Sequence, residues 1–476
     1  MKKLIYTALA LLFAVSCVQE IPPVIEEVDL SRCFEPTNVT AVVKNGEYVN
    51  FNWDKAKTTE AFLLELYTNE ALEGEPAFSF TLSKDEIPYL AHLEADETYW
   101  FRVRGIAEGK DPSKWFIGEK KLETTAIKSS LEPALVDRTS ESISMTWTPD
   151  PEVDHIRIVP PLGEDVGYTR FELDDAAVAA GSVVIGGLKS STCYTLTLHF
   201  KSAERGAVYA WTRPDMTGVV EVSDTTALRA ALVDAAPKIM LRYREEPYWL
   251  QSVKLAGPVA LFGEETLEGA KPVFQGEFQV DPALVGSLHF ENLEVDGMDY
   301  KYGHMVTILK AGTMTEVTAL NCDIHGYSKG IFYDNYGLSI PSVVYDHCLI
   351  HDFEGNQGDC FDFRKKCALG SVKFSNSTLY DGMRTFIRID ANPTLESLEI
   401  SNCTFSNLLY RVDGNTNGLI HVRAKNATNG DPAIILKKNV FLNMHYGDQA
   451  AATKRCTLIG TNTADKLPSE MAKNWY

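Results

Sequence analysis

The sequence predicts an all-β protein: two small antiparallel β-sandwiches followed by a right-handed parallel β-helix capped by a short N-terminal helix. Three observations carry this prediction. A tryptophan strand and a tyrosine strand occur twice in the first half, at Trp53 and Tyr99 and again at Trp147 and Tyr194. Helical periodicity is absent from Thr37 to Thr125, where short alternating runs are separated by turn-rich stretches. In the second half, six segments align on one another at a steady period. The 476 residues suggest about three domains, and 45% hydrophobic content with 32 Gly and 21 Pro excludes wholesale disorder, collagen-like and disulfide-knot architectures. Forty-five Lys+Arg against 65 Asp+Glu leave a formal charge of −20, which repels phosphate backbones, so no nucleic-acid partner is expected.

Lys2 and Lys3 precede an apolar run from Leu4 to Val15, the pattern of a secretory signal and too short to span a bilayer. The stretch Phe13-Ala14-Val15-Ser16-Cys17 resembles a bacterial lipobox. The resemblance implies cleavage before Cys17 and acylation of its thiol, with residues 1–16 as signal peptide; the alternative is a free cysteine beside a plain cleavage site. Residues 17–33 are acidic and contain Pro, which reads as a tether. The lipid is then the only membrane attachment, and the expected place is the outer membrane, with the acidic residues after Cys17 favouring the cell surface. Eight cysteines remain, at Cys33, Cys193, Cys322, Cys348, Cys360, Cys367, Cys403 and Cys456. No pair has metal-ligand spacing on both sides, so no metal site is expected. Cys360 and Cys367, seven apart, are spaced to bridge around a turn.

The first sandwich, residues 34–126, is read from Tyr48-Val49-Asn50-Phe51-Asn52-Trp53 and Tyr99-Trp100-Phe101-Arg102-Val103-Arg104. The second, residues 127–217, repeats the pattern with Ser142-Ile143-Ser144-Met145-Thr146-Trp147 and Thr192-Cys193-Tyr194-Thr195-Leu196. Both resemble fibronectin type III domains, with Tyr99 in the corner position. The expected role is that of spacers, with glycan-binding modules as the alternative.

Residues 218–476 are read as the β-helix. A helix capped by Ser223 or Asp224 places Leu228, Ala231, Leu232 and Ala235 on one face, and short apolar strands follow at Lys238–Leu241, Val253–Leu255 and Val259–Gly263. This order resembles the opening of pectate-lyase-like coils, whose helix plugs the open end. The six segments begin at Leu288, Val317, Val343, Val372, Leu398 and Ile434, spaced by 29, 26, 29, 26 and 36 residues, as expected for turns that stack at about 4.8 Å. Their fifth position holds Asn292, Asn321, Asn376 and Asn402, with His347 in the same column. Asparagine tolerates a left-handed corner and can bond to its copy in the next turn. This resembles the asparagine ladder of pectate-lyase-like coils. The sixth position holds Cys322, Cys348, Ser377 and Cys403; parallel side chains in a stack point the same way, which favours reduced core cysteines over disulfides.

Between ladder positions a second strand recurs, with inward pairs Val306/Ile308, Ile331/Tyr333, Phe361/Phe363, Ile387/Ile389 and Ile420/Val422. Alternation then turns two columns outward: Thr307, Phe332, Asp362, Arg388, His421 and Leu309, Asp334, Arg364, Asp390, Arg423. In pectate-lyase-like proteins this sheet floors a saccharide cleft, so the resemblance makes Asp334, Asp362, Arg364, Arg388, Asp390, His421 and Arg423 the candidates for catalysis or glycan contact. Phe332, Tyr336 and Phe386 are candidates for stacking on sugars, with packing as their other reading.

A lyase of uronic-acid glycans needs a base and groups that offset growing negative charge, for which Arg388, His421 and Arg423 are available. The alternation of sign along Asp334, Arg364, Asp390 and Arg423 disfavours a calcium cluster, so no cofactor is expected. The guanidinium groups also suit plain binding of uronate carboxylates, and the same alternation forms a charge ladder without any ligand. As a whole the chain resembles surface lipoproteins of Bacteroidota that join these parts and accompany polysaccharide uptake systems. The expected function is capture of an acidic polysaccharide or oligosaccharide alongside glycan-uptake machinery. A lyase acting by β-elimination is one alternative, and a non-catalytic adhesion or scaffolding lipoprotein is another.

Overall fold

The structure is a computed structural model. It describes residues 31–56, 59–126, 131–160, 167–354, 358–390, 392–408, 418–444 and 470–474. Cys17, Cys456, Trp475 and Tyr476 lie outside the described residues, and with them the signal, the lipidation site and most of the tether. The chain divides into two compact units, one holding residues to Ala134 with Met145–Val184 and Cys193–Ala210, the other holding Leu135–Ser144, Ile185–Thr192 and Trp211 onward.

The first sandwich has a three-stranded and a five-stranded antiparallel sheet, and the second a three-stranded and a four-stranded one, the fibronectin type III-like arrangement. In the first, Thr40–Lys44, Tyr48–Asn52 and Tyr89–His92 form one sheet, and Phe78–Ser83, Ala61–Tyr67, Thr98–Ile106 and Phe116–Ile117 lie side by side in the other. Alternation puts Val49, Phe51 and Trp53 inside, where Trp53 meets Phe62 edge-on at 5.3 Å and Phe51 meets Phe101 at 5.2 Å. Tyr99 is buried, with a hydrogen bond to the Glu94 backbone that fixes the corner. The second sandwich repeats the sheet orders with Ala134–Arg138, Ile143–Thr146 and Ser182–Ile185, and with Thr169–Glu172, His155–Val159, Cys193–Phe200 and Ala203–Trp211. Trp147 and Tyr194 are buried in it.

The second unit is dominated by the parallel β-helix. Its opening helix runs Thr225–Val233; the Asp224 carboxylate accepts the Ala227 N–H at 2.8 Å, and Leu228, Ala231 and Leu232 are buried. Ala235 falls beyond the helix end. Three parallel faces follow. Strands of the first face pair in the predicted register, Leu288 to Val317 to Val343 to Val372 to Leu398 to Ile434, defining rungs one to six. The second face carries Glu294–Asp296, Asp323–His325, Leu349–His351, Thr378–Gly382, Thr404–Leu408 and Val440–Leu442. The third carries His304–Ile308, Gly330–Asp334, Asp359–Phe363, Thr385–Ile389 and Ile420–Val422. Between them lies one continuous core of Val, Ile, Leu and Phe side chains.

The corner between first and second faces is the predicted ladder. Asn292, Asn321, His347, Asn376, Asn402 and Lys438 all have φ between +49° and +56°. Asn321 donates to Asn292 at 2.8 Å and Asn402 to Asn376 at 3.2 Å. His347 interrupts the run; Asp346 replaces the missing amide by accepting from Asn376 at 2.9 Å and contacting the His347 ring at 2.9 Å. Beneath the ladder Cys322, Cys348 and Cys403 are buried free thiols, as are Cys360 and Cys367, so the turn-spanning bridge is not formed. Burial pushes the Cys322 thiol up to about 12.

The third face departs from the predicted alternation at one rung. The inward residues of rung two are Phe332 and Asp334, because Phe332 pairs with Val306 below and Phe361 above, leaving Tyr333 outward beside Thr307 and Asp362. The physical reason is that the second inward position is the polar Asp334, while Ile331 and Tyr333 imitate an apolar pair; the strand opens at Gly330, opposite His304. A Cβ there would come within 2.6 Å of the Asp359 and Cys360 carbonyl oxygens, so only glycine lets the two rungs close. Reading Ile331 as the first inward residue shifts the strand by one and exchanges its faces.

Candidate ligand groove on the third face

The outward column of the third face therefore reads Gln279, Thr307, Tyr333, Asp362, Arg388, His421. Beside it the corners leaving the second face contribute Gly303, Lys329, Gly358 and Arg384, which with Thr307, Tyr333 and Asp362 of the column and Glu277, His304 and Arg364 enclose a groove of about 460 Å³; Arg388 and His421 lie further along the column, outside this lining.

Acidic side chains form the base of this site and guanidinium groups cover them. Asp362, 2% exposed, receives Arg364 in a forked pair, Nε to Oδ1 at 2.8 Å and Nη2 to Oδ2 at 2.6 Å. Asp359 is fully buried and pairs with Arg384 at 2.8 Å and Arg388 at 3.3 Å. Asp390 receives Arg388 at 3.0 Å and Arg423 at 3.4 Å. Burial acts upward on both inner carboxyls, but with different outcomes. At Asp359 the hydrogen bond and charge of Arg384, with the charge of Arg388, outweigh burial and hold the group below the usual range. At Asp362 burial, aided by the charge of Asp359, prevails over Arg364 and the group is raised.

Asp334 is placed apart from the others. It is buried on the inward side, and its carboxylate accepts the backbone N–H groups of Tyr336, Gly337 and Leu338 at 2.9, 3.2 and 2.8 Å, closing the following turn. The position that matches Arg364 and Asp390 in rung two is Asn335. His421 does face the outward column, yet it is 1% exposed, with Nε2 3.6 Å from Asp390, and burial lowers its proton affinity. Phe332 and Phe386 are core residues and Tyr336 is exposed. Thus the structure gathers Asp362, Arg364, Arg388, Asp390 and Arg423 on one surface, with His421 beneath it.

Sequence reasoning did not nominate His304, Lys329, Asp359 or Arg384 and placed Tyr333 inward. His304 is 8% exposed on the groove floor and stacks on Tyr333 at 4.9 Å; the Arg364 guanidinium lies 5.6 Å from the other ring. Burial, with the charges of Lys329 and Arg364, pushes the imidazole down to about 3, so it is neutral at ordinary pH. The available signal was positional. His304 and Gly330, like Asp359 and Thr385, pair across rungs two residues before the inward pair, at the first residue of each strand, beside the corner that leads into the third face.

Residues 251–382 match a family described as a domain of unknown function (DUF4957). No curated protein matches the chain. Among solved structures, the chain is similar to a two fibronectin type-III domain segment from chicken tenascin, with 15% identity over 37% of this chain and 97% of that one and a TM-score of 0.28. It is also similar to the FN1–FN3 domains of chicken CNTN1, with 14% identity over 37% and 64% of the two chains and a TM-score of 0.18.

Proposed function

We propose that the third face of the β-helix binds an acidic polysaccharide, and that the protein is a lipid-anchored surface component of glycan capture. The observation that carries the reading is the row of guanidinium groups on three successive rungs, Arg364, Arg388 and Arg423, each braced by a buried or half-buried carboxylate. Such bracing fixes the cations in place before a ligand arrives, which lowers the ordering cost of binding. Arg364 and Arg423 share one column two rungs apart and Arg388 stands on the rung between them in the neighbouring column, so carboxylates on a glycan chain lying along the coil axis would meet guanidinium groups on successive rungs. Acylation at Cys17 would hold the molecule at the outer membrane, with the sandwiches as spacers and uptake machinery as the partner.

Binding is preferred to β-elimination on a specific ground. Arg388 is engaged by Asp359 and Asp390, and His421 is buried, so neither is presented as a base. The test is electrophoresis of the protein through gels containing uronic-acid polysaccharides, run beside an ultraviolet assay for unsaturated product. Retardation by one member of the panel without product is expected. Unchanged mobility across the panel contradicts the reading, and product formation replaces it with a lyase.

A further inference from the structure

On the second face two histidines stand above one another. His325 and His351 pair across adjacent rungs and stack at 4.9 Å with 14° between ring planes; Tyr380, next in the column, stacks on His351 at 4.8 Å and 2°. Carboxylates meet both nitrogens of each imidazole. For His325 these are Glu294, 3.1 Å from Nε2, and Asp296, 3.7 Å from Nδ1; for His351 they are Asp323, 2.9 Å from Nε2, and Asp352, 2.7 Å from Nδ1. A neutral imidazole has one N–H and leaves the second carboxylate facing a lone pair, whereas an imidazolium donates to both. The geometry thus selects the cation on His351 through hydrogen bonds at both nitrogens, and on His325 through one hydrogen bond to Glu294 and the nearby charge of Asp296, against the repulsion between the two rings.

The charged and titratable groups that face the pair are Glu294 and Asp296 from rung one, Asp323 from rung two, Asp352 from the corner after His351, and Tyr380 with Asp381 above. Burial pushes both imidazoles down, and the carboxylate contacts outweigh it, so both stand above the ordinary histidine value. Both also sit at the stems of the corners that form one wall of the groove. Asp352, held at φ +51°, accepts the Gly326 N–H of the rung below at 3.0 Å, and Asp381 accepts the Phe353 N–H at 3.1 Å. Lys329, four residues beyond His325, lines the groove.

We propose that the His325–His351 column is a proton-operated clasp on these corners: doubly charged, it ties neighbouring rungs together, and loss of its protons loosens that wall. The clasp stands on this column alone, whatever the groove binds. A histidine raised on folding contributes stability that is complete below its unfolded value of about 6.5 and is lost as pH rises through the folded value.

The test is an NMR titration of the full chain, with the two resonances assigned through His325→Gln and His351→Gln, together with thermal unfolding of wild type and the double variant from pH 6 to 9. Both histidines are expected to titrate above the ordinary value. Wild type is expected to lose about 2–4 °C more in Tm than the double variant over that range. Titration of both at or below the ordinary value, or a Tm difference that does not change with pH, overturns the proposal. If the double variant does not fold, the wild-type titration decides, with each resonance assigned from a single variant.

Discussion

Asp359 holds the charge balance of the groove. Its carboxylate has no contact with solvent, while Arg384 and Arg388, which it pairs with, remain 20% and 23% exposed. Asp359→Asn keeps the shape but removes the buried charge that Arg384 and Arg388 share, leaving Arg388 with Asp390. The expected loss is on the order of 2–3 kcal/mol by chemical denaturation, the low side of the usual figure for a broken buried pair because both arginines can rehydrate. The pH dependence has a definite sign. A carboxyl lowered on folding adds stability that is present above its unfolded value and lost as pH falls through the folded one, so the wild-type advantage over Asp359→Asn should shrink below about pH 4. An advantage unchanged down to pH 2 would show that the pair does not titrate as described. At this scale the sequence was only partly informative. The residue types of the site were visible, but Asp334 turned out to serve three backbone N–H groups, and nothing in alternation distinguishes such a turn cap from a surface acid.

At the scale of the element, the ladder corner explains why the first face was legible and the third less so. Each first-face strand begins on the same apolar pattern and ends on a residue at positive φ, so period and chemistry repeat together. The third face offers alternation alone, and there the inward Asp334 beside apolar Ile331 and Tyr333 makes the wrong pair look like the inward one. Asn376 tests the corner. It donates to Asp346, accepts from Asn402 and sits at φ +51°. Asn376→Ala loses both bonds and strains the backbone, for an expected cost of about 2–3 kcal/mol in denaturant unfolding. Asn376→Gly relieves the strain but not the lost bonds and should cost about 1 kcal/mol less. Equal costs for the two would mean that the left-handed corner is not under strain.

Across the whole molecule, a chain of net charge −20 places Lys329, Arg364 and Arg384 beside Glu277 and Asp362 along one groove of the β-helix. Repeats, tryptophan strands and the capped helix made the order of domains readable, since each rests on local pattern. Which side chains converge does not follow from local pattern, because the groove is assembled from corners and strands of several rungs. The proposed ligand surface is the third face, where Arg364, Arg388 and Arg423 would hold an anionic glycan. Isothermal titration with the best-retained uronic-acid oligosaccharide, at low and high salt, on wild type and the Arg364→Ala/Arg423→Ala variant, tests it most directly. We predict wild-type binding that weakens with salt and falls at least about tenfold in the variant, about 1.4 kcal/mol, the low end for charge-assisted hydrogen bonds. Equal affinity in both proteins at both salt concentrations would contradict it.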